Sequence, residues 1–132
     1  MGKPLWRLTV RAEFAAAHAL RHYQGKCEAM HGHNFQVEAT VEGEALLPDT
    51  EMLADFSDLK HELASVLEEL DHGDLCRVPP FDRINPSSEN LARYLFQRLL
   101  PRMGLRGLRL HAVTVAERAT QSATYMERTE DP

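Results

Sequence analysis

Two segments in the N-terminal third of the chain alternate between apolar and polar positions. Apolar residues occupy every second position over residues 6–16, and they do so again over residues 35–41. A period of two is typical of strands that bury one face. The pattern therefore predicts β-strands over about residues 5–17 and 31–42, separated by a loop without periodicity.

The middle of the chain has the spacing of α-helices. Apolar residues recur three and four positions apart over residues 56–70, and again over residues 91–99. This spacing places each set on one face of a helix. The residues expected to cap or begin these helices are Asp55 or Ser57 for the first and Ser87 or Ser88 for the second.

The remaining segments complete the fold prediction. Residues 71–86 contain three prolines and predict a connecting loop, and the segment 101–107 is expected to end the second helix. Two more strands are predicted over residues 108–117 and near 123–127. Because the order ββααββ groups the helices in the middle, we expect an α+β fold with an antiparallel four-stranded sheet covered on one face by two helices. Its two open edges favour oligomerisation.

Composition narrows the class of protein. A chain of 132 residues is expected to form a single domain over residues 1–132, and its net charge of −5 argues against a nucleic-acid partner. We find no apolar stretch long enough to cross a membrane, so we expect a soluble, cytoplasmic protein. Two cysteines, Cys27 and Cys76, are too few for a disulfide framework.

Three histidines have the spacing of a metal site. His31 and His33 lie two positions apart in a predicted strand, so both side chains point to the same face. His18 continues the apolar face of the first strand and joins them if the two strands pair as a hairpin. Three imidazoles without a fourth protein ligand are typical of a catalytic Zn²⁺ site, which keeps one position open. The alternative is that some of these histidines are ordinary hydrogen-bonded residues.

Four other residues are candidates for proton chemistry or binding. Cys27 precedes the first histidine of the pair by four positions, where a nearby cation would favour its thiolate. Asp71 and His72 form an adjacent acid–base pair at the end of the first helix. Glu117 ends a strand on its apolar face and can accept hydrogen bonds from a guanidine-like ring edge. The structural alternatives are a small buried thiol, a histidine at a helix C-terminus and a solvated edge carboxylate.

These residues belong to a longer series of motifs, namely Phe14-Ala15-Ala16-Ala17-His18, Cys27-x-x-x-His31-Gly32-His33-Asn34, Asp55-Phe56, Leu70-Asp71-His72, Asn85-Pro86-Ser87-Ser88-Glu89-Asn90 and Glu117. In this order they resemble the family of 6-pyruvoyl-tetrahydropterin and 6-carboxy-tetrahydropterin synthases. The Cys-x-x-x-His-Gly-His spacing is similar to that of the bacterial queuosine-pathway branch.

The resemblance implies a tunnelling fold (T-fold). In that fold, ββααββ subunits join through their sheet edges into trimers, and two trimers stack into a homohexamer with active sites at subunit interfaces. The implied cofactor is Zn²⁺ and the implied substrate is a small pterin triphosphate. The resemblance implies that zinc is bound by His18, His31 and His33. It also implies that Cys27 is the base, with Asp71 and His72 as its acid–base partner. Glu117 is implied to anchor the 2-amino and N3 edge of the pterin.

The implied reaction converts 7,8-dihydroneopterin triphosphate to 6-carboxy-5,6,7,8-tetrahydropterin, acetaldehyde and triphosphate. Basic groups must meet the triphosphate, and spacing does not choose among Lys26, Arg21, His22 and Arg118.

Glu28 opens a second possibility. A branch of the family carries Glu three residues before the first histidine of His-Gly-His, and it cleaves the side chain to 6-hydroxymethyl-7,8-dihydropterin for folate synthesis. Because this chain has both Cys27 and Glu28, it resembles a combined type that serves both pathways, unless Glu28 is an ordinary loop charge. Three more hypotheses stay open at this point, namely a 6-pyruvoyl-tetrahydropterin synthase, a small zinc hydrolase and a non-catalytic pterin- or metal-binding protein.

Overall fold

The computed structural model describes residues 1–25 and 28–129. In that part of the chain, five strands and two α-helices follow one another with a short 3₁₀ turn at Leu75–Arg77. The elements are β1 (Trp6–His18), β2 (His31–Gly43), α1 (Phe56–Leu67), β3 (Gly73–Asp74), α2 (Ser88–Leu105), β4 (Arg109–Arg118) and β5 (Gln121–Tyr125). None of the described helices is long and apolar enough to cross a lipid bilayer.

The five strands form one sheet in the order β3-β1-β2-β4-β5. Neighbouring strands are antiparallel except β1 and β3, which pair in parallel. The predicted α+β class is confirmed, but the predicted count of four strands is wrong. The difference arises because Gly73 and Asp74, in the segment predicted as a loop, pair with Ala16 and Ala17 at the edge of β1.

The hydrophobic core lies between one face of the sheet and the two helices. Alternate residues of β1 and β2 are buried there, and the rings of Phe14 and Phe35 stack with their centroids 4.8 Å apart. The polar residues between them lie on the other face of the sheet, so the period-two pattern describes an amphipathic sheet correctly.

The residue that caps each helix is one of the two expected from the sequence. The Asp55 carboxylate accepts a hydrogen bond from the Ser57 N–H at 2.8 Å, and the Ser87 hydroxyl accepts one from the Asn90 N–H at 3.2 Å. Each side chain pairs a backbone N–H that the first turn of a helix leaves without a partner.

Three predicted boundaries are wrong. The first helix ends at Leu67 rather than Leu70, which is buried in the following turn. The second helix continues through Pro101 to Leu105. Proline removes its own N–H bond and its ring crowds the carbonyl one turn back, but the flanking Leu99 and Met103 are fully buried, so packing holds the helix together. The last strand covers residues 121–125 instead of 123–127.

Glu42 is the centre of an ion-pair cluster at the Gly43 end of β2. The residue is 9% exposed, and its carboxylate lies 2.9 Å from the Arg7 Nε and 2.7 Å from the Arg109 Nε. Burial raises the pKa of Glu42, but the hydrogen bond from Arg7 and the charges of Arg109 and His111 outweigh it. The pKa therefore lies below its ordinary value.

We expect Glu42→Gln to lower the free energy of unfolding at pH 7 by about 1–2 kcal/mol, because it removes charge-assisted hydrogen bonds. Since the folded-state pKa lies below the unfolded value of 4.5, this contribution is present above about pH 4.5 and is lost as the pH falls through the folded value. Urea unfolding at pH 7 and pH 3 measures the difference. Glu38→Gln, which affects a more exposed pair with Arg11, is the matched control. A deficit of equal size at both pH values would contradict the prediction.

Candidate functional site

The three predicted metal ligands meet at the His18 end of β1. In the β1–β2 hairpin His18 lies opposite His31, and His33 lies opposite Ala16, so all three side chains share the core-facing side of the sheet. Their nearest ring nitrogens all lie within 4.8 Å of one another. The structure therefore brings together the cluster that the spacing predicted.

His18 has the hydrogen bonding expected of a metal ligand. The ring is 1% exposed, and its Nδ1 lies 2.8 Å from the carbonyl oxygen of Pro86, which can only accept, so Nδ1 donates. The Nε2 atom is buried and has no hydrogen-bond partner in the described part of the chain. Leaving a buried polar atom unpaired costs about 1–3 kcal/mol. A cation held among the three rings would give this lone pair its partner.

His31 and His33 complete the same arrangement. The Nδ1 of His31 donates to the Ala29 carbonyl at 2.9 Å, which leaves its Nε2 available to a metal. Burial lowers the pKa of His33, the nearby Glu117 opposes this, and His18, His31 and Arg118 lower it further. A lowered pKa favours the neutral imidazole, which is the form that binds metals. The donor set thus fits a dication such as Zn²⁺.

Glu117 lies beside the histidine cluster at the end of β4. One carboxylate oxygen is 3.7 Å from the His18 Nε2 and the other is 3.8 Å from the His33 Nε2. The Ser88 hydroxyl, at the first residue of α2, donates to the carboxylate at 3.3 Å. The predicted position on an apolar strand face is therefore correct, and the charge points toward the cluster rather than into bulk water.

Asp71 and His72 lie at the edge of β1, outside the cluster of three histidines. The Asp71 carboxylate accepts from the Ala15 N–H at 2.9 Å and lies 3.4 Å from the His72 Nε2. The backbone N–H of His72 donates to the Ala15 carbonyl, and its φ of 59° is in the left-handed region. The imidazole is 82% exposed, and it lines an open pocket of about 430 Å³ together with His33.

Glu28, in the loop between β1 and β2, is hydrogen-bonded to the start of that loop. Its backbone N–H donates to the Leu20 carbonyl at 2.8 Å, and its carboxylate accepts from the Leu20 N–H at 3.2 Å. The same carboxylate lies 3.8 Å from the His31 Nδ1. Glu28 is therefore a neighbour of the histidine cluster. Cys27 and Lys26 lie outside the described residues.

The candidate triphosphate ligands differ in their contacts. The Arg21 guanidinium donates to the backbone carbonyls of Phe81 and Ile84 at 2.7 and 3.0 Å, so two of its nitrogens already have partners within the protein. His22 is exposed with a φ of 63°, and Arg118 is exposed at the end of β4. Of these, Arg21 is the least suited to bind a phosphate.

A sequence profile described as 6-pyruvoyl tetrahydropterin synthase matches residues 7–128. The chain belongs to this family. A 6-carboxy-5,6,7,8-tetrahydropterin synthase of Synechocystis sp. is 35% identical over 125 residues, which cover 92% of this chain and 93% of that protein. A dihydroneopterin monophosphate aldolase of Pyrococcus furiosus is 37% identical over 93 residues, or 70% of this chain and 74% of that protein.

A solved structure of the 6-pyruvoyl tetrahydropterin synthase family confirms the predicted T-fold at the level of the single subunit. The Caenorhabditis elegans 6-pyruvoyl tetrahydropterin synthase superposes with a TM-score of 0.79 at 27% sequence identity, covering 97% of this chain and all of that one.

Sequence reasoning missed two contacts in this family member. The Pro86 carbonyl pairs with His18, and the Ser88 hydroxyl pairs with Glu117. Both residues belong to the Asn85–Asn90 motif, to which the spacing by itself assigns no role. The motif could have drawn attention to this segment, but only the tertiary structure shows that it contacts His18 and Glu117.

Proposed function

We propose that this chain is a zinc-dependent 6-carboxy-5,6,7,8-tetrahydropterin synthase. It converts 7,8-dihydroneopterin triphosphate to 6-carboxy-5,6,7,8-tetrahydropterin, acetaldehyde and triphosphate. The observation that carries the proposal is the buried Nε2 of His18, which has no hydrogen-bond partner among the described residues and lies among three converging imidazoles. The Synechocystis relative supports the choice of reaction.

The ligands and the substrate anchor lie side by side. His18, His31 and His33 would hold Zn²⁺, which would supply a Lewis acid beside the side chain of the substrate. Glu117 accepts hydrogen bonds from the 2-amino group and N3–H of the pterin, because a carboxylate offers two acceptors to two adjacent donors. The Ser88 hydroxyl orients that carboxylate. The pterin side chain is thereby held next to the histidines.

Proton transfer falls to three further residues. Cys27 removes a carbon-bound proton as the base, and His72 delivers and accepts protons while Asp71 orients its imidazole. Because His72 is exposed at a sheet edge, we place it at a subunit boundary. The proposed assembly is a homohexamer. Subunits join through their sheet edges at β3 and β5 into trimers, and two trimers stack, so that neighbouring copies complete each site.

Glu28 supports a second activity, cleavage of the side chain to 6-hydroxymethyl-7,8-dihydropterin. Its carboxylate lies 3.8 Å from the Nδ1 of His31, a proposed zinc ligand, and a carboxylate beside the metal site is a candidate base. The relative named dihydroneopterin monophosphate aldolase favours this possibility, since its name describes carbon–carbon cleavage of a dihydroneopterin.

Product analysis tests both activities. The zinc-loaded protein is incubated with 7,8-dihydroneopterin triphosphate, and the pterin products are identified by mass for the native chain and for Cys27→Ala and Glu28→Ala. We expect the carboxy product to disappear with Cys27 and the hydroxymethyl product to disappear with Glu28. Glu44→Ala, at an exposed carboxylate just after β2, is the control and should retain the native product ratio.

Three results would overturn the proposal. If Cys27→Ala retained full activity while the histidine variants lost it, a zinc hydrolase would be the better description. If the native protein released no pterin product, the chain would be a non-catalytic pterin- or metal-binding protein. A product of pyruvoyl rather than carboxy type would assign it to the other branch of the family.

A further inference from the structure

Hydrogen bonds join the segment before α2 to the residues that follow β1. The Asn85 side chain pairs with both backbone groups of Arg21: its Oδ1 accepts from the Arg21 N–H at 2.7 Å, and its Nδ2 donates to the Arg21 carbonyl at 2.8 Å. The Arg21 guanidinium in turn donates hydrogen bonds to the carbonyls of Phe81 and Ile84. The proposed reaction uses none of these bonds.

This connection holds the hydrogen-bond acceptor of His18. The carbonyl that pairs with the His18 Nδ1 belongs to Pro86, the residue directly after Asn85. Asn85 is also held from the other side, because the Asn90 Nδ2 donates to its carbonyl at 2.9 Å. The position of the Pro86 carbonyl therefore depends on how Asn85 is anchored.

We propose that Asn85 is a positioning residue for the metal site. By anchoring the Pro86 carbonyl, it holds His18 in the tautomer that carries its proton on Nδ1 and aims Nε2 at the other two imidazoles. The inference rests on the metal-binding role proposed above. Groups that fix the second nitrogen of a ligating histidine change metal affinity or activity by about 10–100-fold when they are removed.

The chemistry of the asparagine side chain explains why this residue type stands here. The side-chain amide has one acceptor and one donor group, which match the N–H and C=O of a single backbone residue. An aspartate retains only the acceptor, and an alanine retains neither. Without the amide, the part-buried backbone groups of Arg21 lose their partners and the loop that carries Pro86 loses its anchor.

The zinc affinity of Asn85→Ala tests the inference. Competition with a chromophoric chelator gives the dissociation constant for Zn²⁺, and the visible spectrum of the Co²⁺-substituted protein reports the geometry of the ligands. We expect about tenfold weaker zinc binding and an altered cobalt spectrum. Arg21→Met, which removes only the guanidinium bonds to Phe81 and Ile84, should weaken zinc binding by a smaller factor.

A matched control separates positioning from general loss of stability. Arg98→Met removes the ion pair with Glu69 between α2 and the end of α1, at a place that contacts neither Asn85 nor His18. It should lower the unfolding midpoint and leave zinc affinity and the cobalt spectrum native.

Each outcome has a defined meaning. A folded Asn85→Ala protein with native zinc affinity and a native cobalt spectrum overturns the inference. If Asn85→Ala does not fold, Asn85→Asp decides, because it keeps the acceptor for the Arg21 N–H and loses the donor to the Arg21 carbonyl: weaker zinc binding supports the inference, and native binding with a native cobalt spectrum overturns it. If the native protein itself does not bind zinc through the three histidines, the proposed function fails instead.

Discussion

Replacing His31 with alanine is expected to abolish tight zinc binding and the stabilisation that zinc confers. A ligand present at a thousandfold excess over its dissociation constant adds about 4 kcal/mol to the free energy of unfolding. For a domain of this size, that corresponds to a rise of more than about 10 °C in the midpoint of thermal unfolding. His31 is the best ligand to test because its side chain is 37% exposed, so its removal opens no buried cavity.

The midpoint of thermal unfolding, measured with and without zinc, tests this prediction. The metal content after dialysis provides a second readout. The native protein should show the full shift and His31→Ala should show almost none, with pterin turnover falling to background. His61→Ala removes an exposed imidazole on α1 and should leave the shift intact. A native zinc shift in His31→Ala would contradict the three-histidine site.

Replacing Glu117 with glutamine is expected to raise the KM for the pterin substrate about 10–100-fold. In the proposed role, the carboxylate offers two acceptors to the two N–H groups of the pterin edge. The amide of glutamine offers one acceptor, and its NH₂ group would face a second donor. Hydrogen bonds to charged groups contribute about 1.5–3 kcal/mol, and this range sets the size of the effect. Steady-state kinetics over a wide substrate range separates KM from kcat.

Zinc affinity decides between two roles for Glu117. Its oxygens lie 3.7 and 3.8 Å from ring nitrogens of His18 and His33, close enough for a carboxylate to join a metal after a small movement. If the residue anchors the pterin, Glu117→Gln should bind zinc as the native protein does. Weaker zinc binding would make Glu117 a metal ligand instead. Glu68→Gln, at an exposed carboxylate beyond α1, should change neither quantity.

The sequence contained enough information to predict the histidine cluster. In a strand, the parity of a position determines its face, so His31 and His33 had to point the same way. His18 required one further assumption, the pairing of β1 with β2, and the register of that hairpin satisfies it. The geometry of the cluster therefore follows from local patterns and one antiparallel contact.

Two features could not be predicted from local patterns. Strand β3 has two residues, too few for any periodicity, and it exists because the turn at Asp71 and His72 lies against the edge of β1. Arg21 is a reasonable candidate for a phosphate by residue type, because the same guanidinium donors serve phosphates and backbone carbonyls. Only the distant carbonyls of residues 81 and 84 show which partner it has.

The Phe35 ring makes the histidine cluster continuous with the hydrophobic core. Its centroid lies 5.2 Å from that of His18 and 5.7 Å from that of His33, and on its other side it stacks on Phe14. Packed interiors transmit changes of volume to their neighbours. Substitutions of Phe14 or Phe35 would therefore displace the three histidines as well as loosen the fold. If these histidines hold a metal, as proposed, the geometry that the metal requires limits which substitutions this part of the core accepts.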